Sequence, residues 1–526
     1  MHTFEILLAL LAACIALAAI AQRLQVPLAV ALVLGGMALA LIPGLPVVEL
    51  EPELALALFL PPLLQVSAYR TDWPAFKSNL RPILLLAIGA VFFTALAVAA
   101  VTKLLVPDLP WWAAITLGAI VAPPDAVAAA AVLKQVKLPR RLVTVLEGES
   151  LINDASSLVL YRFAVAATLA GSVSYGEGAW QFVLGAVGGT AIGLVVGYLA
   201  MRVFALIQDT LLDITVSILA GYAAYFAAEA FHVSGVLAAV ACGLILGRKQ
   251  HAEFTAKTRL ELTAVWNFLE FVLTAMVFML IGLQLRGIVE RLERYDTGDL
   301  ALLGAIVSLT LIVSRFAWVL PSAWLPRALS SSLRKRDPMP PLSHIAVLSW
   351  AGMRGVVSMA AALALPVQFP GRDIILFLSF CAILATLVLQ GTTLGWLIVK
   401  LGVIEADTAE AEANVAAVRA EVSAAALEAV KGHVGEEGLD EHTDAAADLV
   451  EEYEARADLA TLEKDEPEAK TEQIEAQQRL RLVAIESARD KLNEHTDVIE
   501  IEAHRTLAEE LDLEEAQIRR RLGEDA

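Results

Sequence analysis

The stretch 147-EGESLINDASSLVLYRFAVAA-167 has the apolar content of a membrane span, yet it carries Glu147, Glu149, Asp154, Asn153 and Arg162. Ionisable groups at bilayer depth are costly, and they are retained for function. On a helix turning 100° per residue, Glu147, Ser150 and Asp154 fall at i, i+3 and i+7 and form one stripe. Glu149, Asn153 and Ser156 form a second stripe, about 100° away. The helix enters from the basic pair Arg140-Arg141. Asp154 lies about 20 Å further on at 1.5 Å per residue, near the middle of a bilayer.

The chain around this stretch has 526 residues, is 58% apolar and has a mean hydropathy of +0.66, which indicates a polytopic membrane protein. The net charge of −19 divides unevenly. Residues 1–403 hold 26 Lys+Arg against 23 Asp+Glu, whereas residues 404–526 hold 13 against 35. A nearly neutral membrane domain (1–403) is therefore followed by an acidic soluble domain (404–526), and so acidic a tail argues against nucleic acid as a partner. Cys14, Cys242 and Cys381 lie in apolar runs without metal or disulfide spacing. No basic residue precedes the first apolar run, so it reads as a membrane helix rather than a cleaved signal.

Apolar runs fall at about 3–22, 26–43, 52–69, 81–106, 111–133, 142–171, 179–207, 210–230, 233–248, 260–285, 299–326, 343–366 and 372–401, thirteen in all. With the N-terminus outside, 17 basic residues fall in inside loops and 5 in outside loops. That bias places the acidic tail in the cytoplasm. The fifth run is interrupted by Pro123-Pro124-Asp125 and the twelfth by Gly352 and Gly355 around Arg354. A proline pair removes donors and clashes one turn back, so the fifth helix must break. Six spans, a linker span and six more put both breaks at equivalent places. The expectation is an all-α polytopic membrane protein with two inverted six-helix repeats and crossing discontinuous helices, the arrangement of secondary transporters.

A mid-membrane carboxylate can hold a proton or a cation, but not both. Desolvation favours the proton, and a bound cation opposes it. Asp154 is thus the candidate exchanging group, with Ser150 and unwound carbonyls near Asp125 supplying neutral oxygens to an alkali cation. Asn153 does not titrate. A single exchangeable carboxylate implies one-for-one, electroneutral exchange, and Asn153 can also serve as an interhelical hydrogen-bond residue.

The stretch 145-VLEGESLINDASSLVLYRFAVA-166 resembles the signature helix of the sodium/proton exchanger family, the NhaP/NHE type of monovalent cation/proton antiporter. Further matches run in order: 59-FLPPLL-64, 118-GAIVAPPDAVAA-129, 234-SGVLAAVACGLILGR-248, 266-WNFLEFVLTAMVFMLIGLQL-285 and 349-SWAGMRGVVSMAAAL-363. The resemblance implies a homodimer with thirteen spans in the plasma (inner) membrane. A core domain would move against a dimerisation domain, with no cofactor beyond the transported ions. It also implies Asp154 as the exchanging carboxylate, Ser150 as a cation ligand, and Glu149 in a structural ion pair with Arg315. Arg354 is a second candidate partner for Glu149. Two positions depart from the family. Where the third span often places an acid four residues after Pro-Pro, Val66 stands here, preceded by Gln65. The fifth-span break, commonly Thr-Asp-Pro, reads Pro124-Asp125-Ala126. Both changes touch the choice of Na+ over K+. Gln65 suits polar packing, with an amide ligand as the other option.

Arg162 suits a structural pair and Glu270 a helix–helix contact, while Asp213 and Glu229 suit interfacial positions. In the tail, 411–434 and 471–499 read as helices joined by turns at GEEG and DEPE, with an apolar stripe of Leu480, Leu482, Ile485 and Leu492. Its histidines, His433, His442, His495 and His504, are candidate pH sensors. Competing readings are K+/H+ exchange, an intramembrane aspartyl protease using Asp125 and Asp154, and a channel. The protease needs two carboxylates sharing a proton, but Asp125 sits in a double-proline break and no Gly-x-Gly-Asp occurs. A channel lacks a repeated filter sequence.

Overall fold

A computed structural model describes residues 2–24, 26–42, 52–125, 138–170, 175–207, 209–292, 296–403, 408–436, 450–454, 467–494 and 501–522. Among these, all regular structure is helical. The chain divides into two compact units, Met1–Glu405 and Ala406–Ala526.

The first unit begins with α1 (His2–Leu24), α2 (Leu28–Ala40), α3 (Pro52–Arg70), α4 (Leu80–Leu105), α5 (Trp111–Val121) and α6 (Arg140–Ala170). It continues with α7 (Tyr175–Ile207), α8 (Thr210–Ala230), α9 (Gly235–Glu253), α10 (Ala256–Arg291) and α11 (Thr297–Leu329). It ends with α12 (Leu342–Trp350), α13 (Val356–Leu363) and α14 (Arg372–Lys400). Every predicted apolar run contains helix, and the fifth and twelfth runs break. The second half of the fifth run lies outside the described residues. Six helices among the described residues are long and apolar enough to cross a membrane by length and composition.

Starts and stops follow local chemistry. Pro27, Pro110 and Pro341 precede α2, α5 and α12, where no backbone donor is needed. The side chains of Asp209, Ser234, Thr255 and Asp296 cap α8, α9, α10 and α11. Helix α3 runs unbroken through Pro61-Pro62. Pro62 cannot donate to the carbonyl of Leu58, and the Tyr222 hydroxyl of α8 donates to that oxygen instead, at 2.8 Å. A neighbouring helix thus satisfies the freed carbonyl.

The helices pack in two groups. Helix α3 packs on α9, α7 on α9 and α2 on α10. At the α2–α10 crossing, a methyl group at Gly36 would lie 2.4 Å from the Met279 carbonyl, and one at Gly282 would lie 2.3 Å from that of Val33. Only glycine permits so close an approach. In the second group α4 packs on α5, α5 on α6, and α11 on α4 and α14. Outward faces are apolar: Leu194, Val195, Tyr198, Leu199 and Leu206 of α7 are exposed, as lipid-facing residues are.

The second unit contains α15 (Thr408–Glu436), α16 (Pro467–Glu494) and α17 (Ile501–Leu522). Helices α16 and α17 pack together, burying Ile485 and Ile518, and Arg489 pairs with Asp512 and Glu515 at 2.6 Å. The predicted stripe is corrected at one position. Leu480 is 70% exposed, and the inward face runs through Gln478, Leu482, Ile485, Arg489 and Leu492. Leu480 is two residues, about 200°, from Gln478 and so faces away. The side chains of the four tail histidines lie outside the described residues.

Candidate functional site

The two broken helices meet and complete each other. Pro123 has no N–H for the carbonyl of Ala119, and the Ser157 hydroxyl of α6 donates there at 2.8 Å. Beyond the prolines, the Asp125 N–H leaves its own helix and donates to the carbonyl of Met353 at 2.7 Å. Met353 lies in the non-helical link between α12 and α13. The Val121 carbonyl at the end of α5 accepts from Nε of Arg354 at 2.7 Å. Arg354 also donates to the Gly352 carbonyl, and its N–H donates to Oγ1 of Thr386 at 3.0 Å. A buried guanidinium therefore sits at the carbonyl end of a half-helix, where the dipole favours positive charge.

Arg315 does the same for α12. Its Nη2 and Nε donate to the Leu348 carbonyl at 3.1 and 3.3 Å. Its two terminal nitrogens also bind Glu149 through both carboxylate oxygens, at 2.6 and 2.8 Å. Glu149 and Arg315 are 1% and 3% exposed, so this is a fully desolvated bidentate pair. Arg354, the other candidate partner, makes its bonds to backbone oxygens.

On α6 the two stripes differ in surroundings. Glu149, Asn153 and Ser156 are all buried and all engaged. Nδ2 of Asn153 donates to the Pro124 carbonyl at 2.6 Å, tying α6 to the break in the fifth span. This fixes the amide orientation and leaves Oδ1 of Asn153 buried without a donor. The hydroxyl of Ser156 donates to the Ala87 carbonyl at 2.5 Å. Ala87 lies in a π-helical turn of α4, Leu85–Ala90, whose looser ladder frees carbonyls; Trp318 takes that of Leu85. On the other stripe Glu147 is exposed, Ser150 is half-buried and Asp154 is 7% exposed. The 2.6 Å bond from Asn153 to Pro124 joins the immediate chain neighbours of Asp154 and Asp125, so the two carboxylates share one neighbourhood. A methyl group on Gly355 would lie 1.6 Å from Oδ2 of Asp125, so the second break packs directly against that carboxylate.

Sequence reasoning missed Thr386, while the roles it gave Gln65, Arg162 and Glu270 agree with their contacts. Thr386 sits in a π turn of α14, Thr386–Gln390, and only its polarity in an apolar run marked it. The Nε2 of Gln65 donates to the Ser217 carbonyl of α8 at 2.6 Å. Arg162 pairs with Glu229 of α8 at 2.8 Å, and Arg70 pairs with Glu270 of α10 at 2.6 Å. Among the described residues no group of three or more His, Cys, Asp and Glu has metal-binding geometry.

A multi-pass helical bundle in which the broken ends of two helices meet beside a buried carboxylate is the arrangement of a secondary transporter. Residues 6–400 match the model of the sodium/hydrogen exchanger transmembrane family. The chain is 32% identical to an uncharacterized Na+/H+ exchanger of Mycobacterium bovis, over 98% of this chain and 96% of that one. It is 34% identical to a sodium, potassium, lithium and rubidium/H+ antiporter of Bacillus pumilus, over 66% of this chain and 54% of that protein. Its fold is similar to the sodium proton antiporter MjNhaP1 of Methanocaldococcus jannaschii, with a TM-score of 0.60, 19% identity, and 76% of this chain and 99% of that one covered. The chain belongs to the sodium/hydrogen exchanger family. It is a cation/proton antiporter, not an enzyme, and the protease reading falls with that.

Proposed function

We propose that this protein exchanges Na+ for H+, one for one, by competition of the two ions for Asp154. The observation that carries the reading is that buried Asp154 is flanked in sequence by Asn153, whose Oδ1 is a buried acceptor left without a donor. A site rich in oxygen acceptors and short of donors suits an alkali cation. Ser150 and the Asp125 carboxylate complete the candidate set. Charge counting supports a single exchanged charge. Arg315 and Arg354 stand against Glu149, Asp125 and Asp154, and one proton or one monovalent cation balances the remaining negative charge. Movement between access states only when Asp154 is occupied couples the two fluxes in opposite directions.

The membrane unit carries transport. The acidic unit lies in the cytoplasm and the N-terminus outside, in the plasma (inner) membrane, and two copies form a dimer. K+ exchange by the same mechanism is the second reading. It draws support from the missing third-span acid and from Gln65, whose amide nitrogen is spent on Ser217. The test is cation-induced dequenching of a pH dye in everted vesicles with Na+, K+ and Li+. Asp154→Asn is expected to abolish the signal for every cation at unchanged protein level. Exchange retained by the variant would overturn the carboxylate mechanism.

A further inference from the structure

A cavity of about 260 Å³ lies among α4, α6, α11 and α12, at the end of those helices that carries Arg81, Arg141 and Arg327. These three arginines converge on one acid. Asp337 accepts from Arg81 at 2.7 Å, Arg141 at 2.7 Å and Arg327 at 2.8 Å. Three positive charges against one negative leave the cluster at +2. Arg327 is fully engaged, with further bonds to the carbonyls of Ala323 and Asp337. Arg81 is not, since its Nη1 is buried and has no hydrogen-bond partner. Arg141 is 49% exposed.

Apart from Ser322 and His344 the rest of the cavity lining is apolar, with Leu86, Val145, Val319, Ile345 and Leu348 among its walls. Met339, on its lining, is exposed. A basic head above an apolar body is complementary to an anionic amphiphile. The volume is near the low end of small-molecule sites, roughly 300–1,000 Å³. It holds a head group and the start of one chain, with the remainder left to the bilayer. Basic pockets between membrane helices are where anionic lipid head groups bind.

We propose that this cavity binds the phosphate group of an anionic membrane phospholipid. The phosphate oxygens accept from the guanidinium groups of Arg81 and Arg141, whose side chains are 32% and 49% exposed, and one acyl chain enters between Val145, Val319 and Ile345. The site is separate from the Asp154 neighbourhood and does not depend on the transported ion.

The experiment uses the full chain in detergent, with thermal unfolding and native mass spectrometry as readouts. The probes are dioctanoyl phosphatidylglycerol, dioctanoyl phosphatidylcholine and inorganic phosphate. Phosphatidylglycerol is expected to bind at least tenfold more tightly than phosphatidylcholine and to raise the melting temperature. Inorganic phosphate at equal concentration is expected to have no effect. Arg81→Gln is expected to weaken phosphatidylglycerol at least tenfold, and Val145→Trp, which fills the apolar part, to weaken it similarly. Equal binding of the two lipids by the wild type would overturn the proposal even if neither variant folds. So would phosphatidylglycerol binding within twofold of wild type in either folded variant. An equal response to inorganic phosphate would make this a small-anion site and overturn the lipid assignment.

Discussion

The side-chain amide of Asn153 donates to the carbonyl of Pro124 at 2.6 Å, so the helix bearing Asp154 is tied to the break bearing Asp125. Asn153 is fully buried. It thus has a structural duty whatever its part in the charge count.

That duty predicts the outcome of Asn153→Asp. An ionised carboxylate would face the Pro124 carbonyl with no proton to donate, burying an unpaired charge. Loss of the bond alone costs on the order of 1–3 kcal/mol. We expect Asn153→Asp and Asn153→Ala both to lower the melting temperature in detergent. An Asp variant as stable as wild type, with exchange driven by membrane potential, would show that the charge count dominates.

The Glu149–Arg315 pair predicts a strong coupling. Removing one partner strands the other, at about 3–5 kcal/mol, whereas removing both costs less. Glu149→Leu and Arg315→Met are expected to reduce folded yield severely. The double variant Glu149→Leu/Arg315→Met is expected to recover much of it. Additive losses in a double-mutant cycle of unfolding would contradict the direct pairing.

Gly355 predicts a change in ion affinity. An added methyl would overlap the Asp125 carboxylate and push it aside. Gly355→Ala is expected to lower apparent cation affinity about tenfold, near 1.4 kcal/mol. The check is a cation titration of dye dequenching, in which unchanged half-saturation would exclude Asp125 from the site.

Asp337 predicts a pH dependence outside the membrane. Burial pushes its carboxyl up, but hydrogen bonds and charge from Arg141 and Arg327 outweigh this and hold it below the usual carboxylate range. A depressed carboxyl contributes stability that is present above its unfolded value of about 3.9 and is lost as pH falls through the native value. Asp337→Asn is therefore expected to melt lower than wild type at pH 7. The gap should close as pH drops below about 4. A gap independent of pH would show that the arginines are held by shape rather than charge.

Much of the scaffold is legible in the chain because it rests on local physics. Run length and apolar content give the helices, and Pro123-Pro124 and the glycines around Arg354 give the breaks. The 3.6-residue period separates the Glu149 stripe from the Asp154 stripe before any partner is known. The tail stripe failed at Leu480 for an equally local reason: adjacent apolar residues do not show which side of a helix a partner will cover.

The sequence by itself determined the class of protein, the two interruptions and the separation of the Asp154 stripe from the Glu149 stripe, since each follows from residues close together in the chain. Tertiary structure alone decided how the polar groups are spent. Arg315 rather than Arg354 takes Glu149 across 166 residues of chain, and Arg354 instead caps α5 across 233 residues. Such choices depend on which backbone groups the prolines and π turns leave unpaired at a crossing. That is settled only when distant helices meet and each buried donor must find an acceptor.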